Sequence, residues 1–126
     1  MEKRKILIID DEVGFMDIVK INLERTGNYI VRTESDGTKG VAAAKEFQPD
    51  LILMDIIMPD ISGDEIAILL QKEEDTKNIP VVFLTAVVKK EEEISRGGII
   101  GGKTFIAKPT TVEALIKVIE RQLNGS

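Results

Sequence analysis

The stretch Leu51-Ile52-Leu53-Met54-Asp55, continuing through Ile56-Ile57-Met58-Pro59 to Gly63, governs the reading of the rest of the chain. An unbroken apolar run of this length, with no polar alternation, predicts a strand covered on both faces, as in a parallel sheet flanked by helices. Asp55 closes the run, so its backbone lies near the core. An unpaired carboxylate there costs several kcal/mol, so Asp55 requires a partner.

Moving outward, Ile6-Leu7-Ile8-Ile9, Val81-Val82-Phe83-Leu84 and Thr104-Phe105-Ile106-Ala107 repeat the pattern, and Tyr29 to Arg32 reads as an edge strand. Helical signals fill the gaps. Phe15, Met16, Val19 and Leu23 share one helical face, with Gly27-Asn28 as its stop; a second helix follows Asp36-Gly37 and ends before Gln48-Pro49. Ser62-Gly63-Asp64-Glu65 has capping-box spacing ahead of Ile66, Leu69 and Leu70. Thr110-Thr111-Val112-Glu113 repeats it ahead of a stripe of Val112, Leu115, Ile116, Ile119 and Leu123. Strands alternating with helices predict an α/β fold, a doubly wound five-stranded parallel sheet with five flanking helices and right-handed crossovers.

Composition bounds the chemistry. The 126 residues fit one compact domain, expected over residues 1–126, and 43% hydrophobic with 31% charged residues is globular rather than disordered. The chain has no Cys and no His, which removes disulfides, thiolate catalysis, the commonest general base and most zinc chemistry. A net charge of −5 without a basic block argues against direct nucleic-acid binding and for a protein partner. The apolar run after Lys3-Arg4-Lys5 is too short for a signal peptide or a membrane span, so no membrane role and a cytoplasmic protein are expected.

Ligands of open α/β sheets bind beyond the carboxyl ends of the strands. The residues there are Asp10-Asp11, Asp55, Thr85 and Lys108, which put carboxylates, a hydroxyl and an ammonium on one rim. Clustered acids favour a hard divalent cation, and an all-oxygen set suits magnesium better than zinc, with manganese as a substitute. A cation and a hydroxyl donor beside a metal match the needs of a transferring phosphoryl group, whose charge spreads over its equatorial oxygens. With no Ser–His pair or thiolate available, Asp55 is the candidate nucleophile.

Asp10-Asp11, Asp55 with Met58-Pro59 and Gly63, Thr85-Ala86, Phe105 and Lys108-Pro109 together resemble the receiver domains of two-component response regulators, from Lys5 to about Leu123. The resemblance implies the strand order 2-1-3-4-5. It implies that Asp55 accepts a phosphoryl group from a phosphohistidine on a partner histidine kinase or histidine phosphotransfer protein. Asp11 and Asp55 would ligate magnesium directly, Asp10 through water, and the backbone carbonyl of Ile57 would complete the protein ligands. Lys108 would pair with the phosphoryl oxygens and Thr85 would move to bond one of them. Phe105 matches an aromatic switch position that couples the site to the surface of the fourth helix, fifth strand and fifth helix, so that a downstream protein target reads the modification. The chain would act as a signalling switch, monomeric or dimerising on phosphorylation, that catalyses only its own phosphorylation and slow dephosphorylation.

Two departures stand out. Ile57 and Val87 are apolar at positions that, by the resemblance, flank the path of the water that attacks the acyl phosphate and where polar residues can orient it, which predicts slow autodephosphorylation; Ile57→Asn with Val87→Glu should shorten the phosphoryl lifetime. Gly97-Gly98-Ile99-Ile100-Gly101-Gly102 disfavours helix, so the fourth helix is expected to be short, from about Lys90 to Arg96, with Ile99 and Ile100 in a flexible loop. Two other readings are a phosphorylation-independent binding scaffold and an Asp-nucleophile phosphohydrolase. The latter usually carries a second Asp two residues after the first, where this chain has Ile57.

Overall fold

β-Branched and leucine-rich runs form the strands, as expected. The computed structural model of the protein describes residues 2–86, 99–100, 103–108 and 110–124. Its parallel strands are β1 (Arg4–Ile9), β2 (Tyr29–Glu34), β3 (Leu51–Asp55), β4 (Val81–Thr85) and β6 (Lys103–Ala107), with a two-residue β5 (Ile99–Ile100). The sheet order is β2-β1-β3-β4-β6-β5, so the parallel part follows the expected 2-1-3-4-5 arrangement.

The described residues contain the α-helices α1 (Val13–Arg25), α2 (Gly40–Phe47), α3 (Gly63–Gln71) and α4 (Val112–Asn124), with a 3₁₀ turn over Gly37–Lys39. The helix expected over Lys90 to Arg96 lies outside the described residues, as does Val87. Among the described residues no helix is long and apolar enough to cross a membrane.

Local chemistry sets the helix ends. The Ser62 hydroxyl accepts from the Glu65 amide at 3.2 Å at the start of α3, and Thr111 does the same for Ala114 at 3.1 Å at the start of α4. After α1, Gly27 takes φ +82°, a left-handed conformation that costs glycine little.

Because successive side chains of a strand point to opposite faces, the sheet builds two cores. On one face Ile6, Ile8, Leu51, Leu53, Val82 and Leu84 pack against Met16, Val19 and Leu23 of α1 and Leu115, Val118 and Ile119 of α4. On the other, Leu7, Ile9, Ile52, Met54 and Phe83 pack against Ala43 and Ala44 of α2 and Ile66, Ala67 and Leu70 of α3.

Three expectations change. Ile99 and Ile100 do not form a loop: they pair antiparallel with β6, Ile100 opposite Lys103. β-Branched residues favour the strand, and the sequence Gly101-Gly102 between the two runs is a dipeptide type that two-residue hairpin connections favour. Leu69 is 43% exposed, and Ala67 takes the buried position on α3. In α4, Val118 is buried and Val112 only half-buried, because the core-facing stripe is centred on Leu115, Val118 and Ile119.

Candidate functional site

The sheet order reverses between β1 and β3, since the chain leaves β1 for β2 on one side and returns to form β3 on the other. That reversal opens a crevice at the carboxyl ends of the two strands. Ile9 pairs with Met54, Asp55 with Leu84 and Thr85 with Ala107, so Asp10, Asp55, Thr85 and Lys108 emerge on one rim. Backbone bonds fix the rim. The amide of Asp10 donates to Glu34 O at 3.1 Å, that of Ile56 to Leu84 O at 3.1 Å, and that of Lys108 to Thr85 O at 2.9 Å.

Gly63 seats the loop after β3. Its amide donates to Ile56 O at 2.8 Å, and a Cβ there would strike the carbonyl oxygen of Asp55 and lie 3.0 Å from the Cα of Ile56. Only glycine permits this approach of the α3 N-terminus to the end of β3.

Carboxylate oxygens of Asp10, Asp11 and Asp55 lie within 4.8 Å of one another. Asp10 is fully buried and Asp55 is 6% exposed, while Asp11 is open to solvent. Asp55 Oδ1 accepts from the Ile57 amide at 3.2 Å. Its Oδ2 lies 3.4 Å from Lys108 Nζ. Burial raises the Asp55 pKa first and the Asp10 charge raises it further; Lys108 and the Ile57 amide oppose them without cancelling the rise.

Lys108 is no solvated surface charge: its side chain is 8% exposed, with Nζ 2.6 Å from Asp10 Oδ2 and 2.7 Å from Glu12 Oε1. Burial pulls its pKa down, but Asp10, Glu12 and Asp55 outweigh burial and hold it above the ordinary lysine range. The ammonium also lies 4.6 Å from the centre of the Phe15 ring, a cation–π geometry.

Thr85 is buried at the end of β4. Phe105 is half-buried on β6 and stacks on Phe83 with ring centres 5.4 Å apart. Ile57 is 55% exposed at the mouth of the site. Asp10, Asp11, Asp55, Thr85 and Lys108 therefore lie on one rim, with Phe105 one step behind it through the Thr85–Ala107 register, while Val87 lies outside the described residues. Sequence reading missed Glu12 and Phe15 as partners of Lys108. Their signal was position alone, directly after Asp10-Asp11 in the loop and first turn leading from β1.

The donor set fits a hard divalent cation. Three carboxylates, from Asp10, Glu12 and Asp55, face the one ammonium of Lys108, and the Asp11 carboxylate joins those of Asp10 and Asp55 within 4.8 Å. Asp10 Oδ2 is fully buried and, among the described residues, accepts no hydrogen bond of good geometry; only its ion pair with Lys108 offsets its charge. A buried anionic oxygen whose one partner is an ammonium shared with Glu12 and Asp55, beside two further carboxylates, suits an oxygen-coordinated cation.

A family model described as the response regulator receiver domain matches residues 6–120. The chain is 40% identical over 112 residues to the DNA-binding dual master transcriptional regulator RpaA of Synechocystis, covering 89% of this chain but 46% of that protein, less than half its length. It is 35% identical to protein PilH of Pseudomonas aeruginosa, covering 96% of this chain and 98% of that one. Among solved structures, the chemotaxis response regulator CheY4 of Vibrio cholerae superposes with a TM-score of 0.79 at 28% identity, over 95% of this chain and 98% of its own.

Proposed function

The chain belongs to the response regulator receiver family, and from that premise we propose that Asp55 accepts a phosphoryl group from a phosphohistidine on a partner histidine kinase or phosphotransfer protein. The observation that carries this reading is the environment of Asp55: a nearly buried carboxylate at a strand end, beside Asp10 and Asp11, with Lys108 Nζ at 3.4 Å.

In the transfer, an Asp55 carboxylate oxygen attacks phosphorus, the bond from phosphorus to the donor imidazole nitrogen breaks, and the imidazole leaves with the electron pair. The Ile57 amide, bonded to Asp55 Oδ1, orients the nucleophile. Lys108 moves its ammonium onto the phosphoryl oxygens, and the Thr85 hydroxyl donates to one of them. Asp10, Asp11, Asp55 and the Ile57 carbonyl would hold magnesium, with manganese as a substitute. The bound metal would neutralise charge developing on the transferred group.

The modification controls a protein surface. When Thr85 shifts towards the phosphoryl group, Phe105, two residues from the Thr85–Ala107 pair, repacks against Phe83 and alters the face around β6 and α4 for a downstream protein target. We place this exchange in the cytoplasm, in a single receiver unit, either monomeric or dimerising on modification, with no direct contact to nucleic acid. The chain promotes only its own phosphorylation and slow dephosphorylation.

Intact-mass analysis after incubation with a small phosphodonor tests the reading. One magnesium-dependent phosphoryl adduct on the parent, absent from Asp55→Asn, is expected. No adduct under any condition, with the acidic cluster still binding magnesium, would favour a phosphorylation-independent scaffold; turnover of added phosphoesters would favour a phosphohydrolase.

A further inference from the structure

Lys108 has three N–H groups to offer and faces three carboxylates, and the distribution is uneven. Asp10 Oδ2 at 2.6 Å and Glu12 Oε1 at 2.7 Å hold the ammonium tightly, whereas Asp55 Oδ2 stands off at 3.4 Å. The weakest of the three contacts is the one to the phosphoacceptor. Resting on the function proposed above, we propose that Glu12 is a positioning residue: it draws the Lys108 ammonium off Asp55 and yields it when a phosphoryl group arrives.

The two tight partners differ in what it costs to release them. Asp10 is fully buried, and its other oxygen already accepts from the Glu12 amide at 2.9 Å. Abandoning it would leave a buried, poorly satisfied anion. The Glu12 side chain is 61% exposed and can be rehydrated as soon as the ammonium leaves. A phosphoryl group on Asp55 therefore competes with Glu12 rather than with Asp10. The Phe15 ring, 4.6 Å from Nζ, offers the ammonium an apolar wall along which its charge remains favourable. Glu12 thus sets part of the free-energy cost of every phosphoryl group that Lys108 must bind, and the fold holds Lys108 in reserve at the rim until then.

The test measures affinity for beryllofluoride, a phosphoryl mimic, by fluorescence or calorimetry at saturating magnesium. Glu12→Gln, which keeps the shape and removes the charge, should bind the mimic about threefold more tightly than the parent. Glu12→Asp keeps the charge but withdraws it by one methylene, so it should follow Glu12→Gln rather than the parent. In a Lys108→Met background, Glu12→Gln should lose most of its effect, because the ammonium through which Glu12 acts is gone. A second readout needs neither metal nor mimic: the Lys108 side-chain NMR resonances of the metal-free protein should move in Glu12→Gln.

Unchanged affinity in Glu12→Gln, or an equal gain with and without Lys108, overturns the inference, as does a Lys108 resonance that Glu12→Gln leaves in place. A parent that takes up no beryllofluoride at all overturns the functional reading as well. A parent that takes it up while Glu12→Gln changes nothing overturns this inference alone.

Discussion

Asp55 is a charge that the folded protein holds at a cost. Burial raises its pKa first and Asp10 raises it further, against the partial relief of Lys108 and the Ile57 amide. In Asp55→Asn that charge disappears, while Lys108 keeps Asp10 at 2.6 Å and Glu12 at 2.7 Å. The variant should therefore be more stable than the metal-free parent at neutral pH, by about 1 kcal/mol, as read from denaturant melts. The pH dependence has a definite sign. A carboxyl whose folded pKa lies above its unfolded value destabilises when both states are ionised, and that penalty is relieved as pH falls through the folded pKa. The stability gap between variant and parent should accordingly narrow from about pH 7 to about pH 4. A constant gap would show that Asp55 carries no excess charge cost.

Asp11 differs from its neighbour: it is exposed, whereas Asp10 is buried. Asp11→Asn should leave metal-free stability within about 0.5 kcal/mol of the parent. A ligand role for Asp11 would show instead as a loss of magnesium-dependent stabilisation.

At the scale of elements, the join between β3 and α3 leaves no room for a side chain at Gly63. The added methyl of Gly63→Ala would meet the Asp55 carbonyl and stand 3.1 Å from the Asp55 carbonyl carbon, all of it backbone that cannot rotate away. A loss of about 2 kcal/mol is expected in equilibrium unfolding, together with a fall in the yield of the Asp55 adduct, because the strand end that aims the carboxylate must shift. Ser62→Ala separates capping from chemistry. It removes the 3.2 Å bond to the Glu65 amide and should cost about 1 kcal/mol while leaving adduct yield near the parent level. Equal loss of adduct in both variants would mean that helix stability, not the Gly63 approach, positions Asp55.

The antiparallel pairing of β5 with β6 shows how local signals compete. Four glycines flanking Ile99-Ile100 lower helix propensity, the basis for expecting a short fourth helix, which lies outside the described residues. The same isoleucines are also β-branched and stand two residues from the next strand, so pairing was available to them.

For the whole molecule, sheet order is what turns scattered acids into a site. With β1 and β3 adjacent, residues from positions 10, 11 and 55 bring their oxygens within 4.8 Å, and like charges at that range oppose folding unless a cation joins them. Magnesium should therefore raise the thermal midpoint of the parent, with a stabilisation of about 2.7 kcal/mol at a hundredfold excess over its dissociation constant. Asp11→Asn should lose most of that increment. Differential scanning calorimetry with and without magnesium measures both, and an equal increment in the two proteins would remove Asp11 from the ligand set.

The amino-acid sequence by itself determined the alternation of strands and helices, the two-sided burial of the parallel strands, and the gathering of Asp10, Asp55, Thr85 and Lys108 at one end of the sheet. The physical reason is simple: parallel strands share a direction, so residues that follow their apolar runs share a rim. Tertiary structure alone decided which of those groups touch. Lys108 meets Glu12 across 96 positions of chain, Phe15 supplies the ring beside it, and Asp10 is buried where Asp11 is exposed. Such pairings depend on strand register and on the angle at which α1 leaves β1. No local spacing encodes them, because periodicity sets the face a side chain takes, whereas the packing of distant elements sets its neighbours.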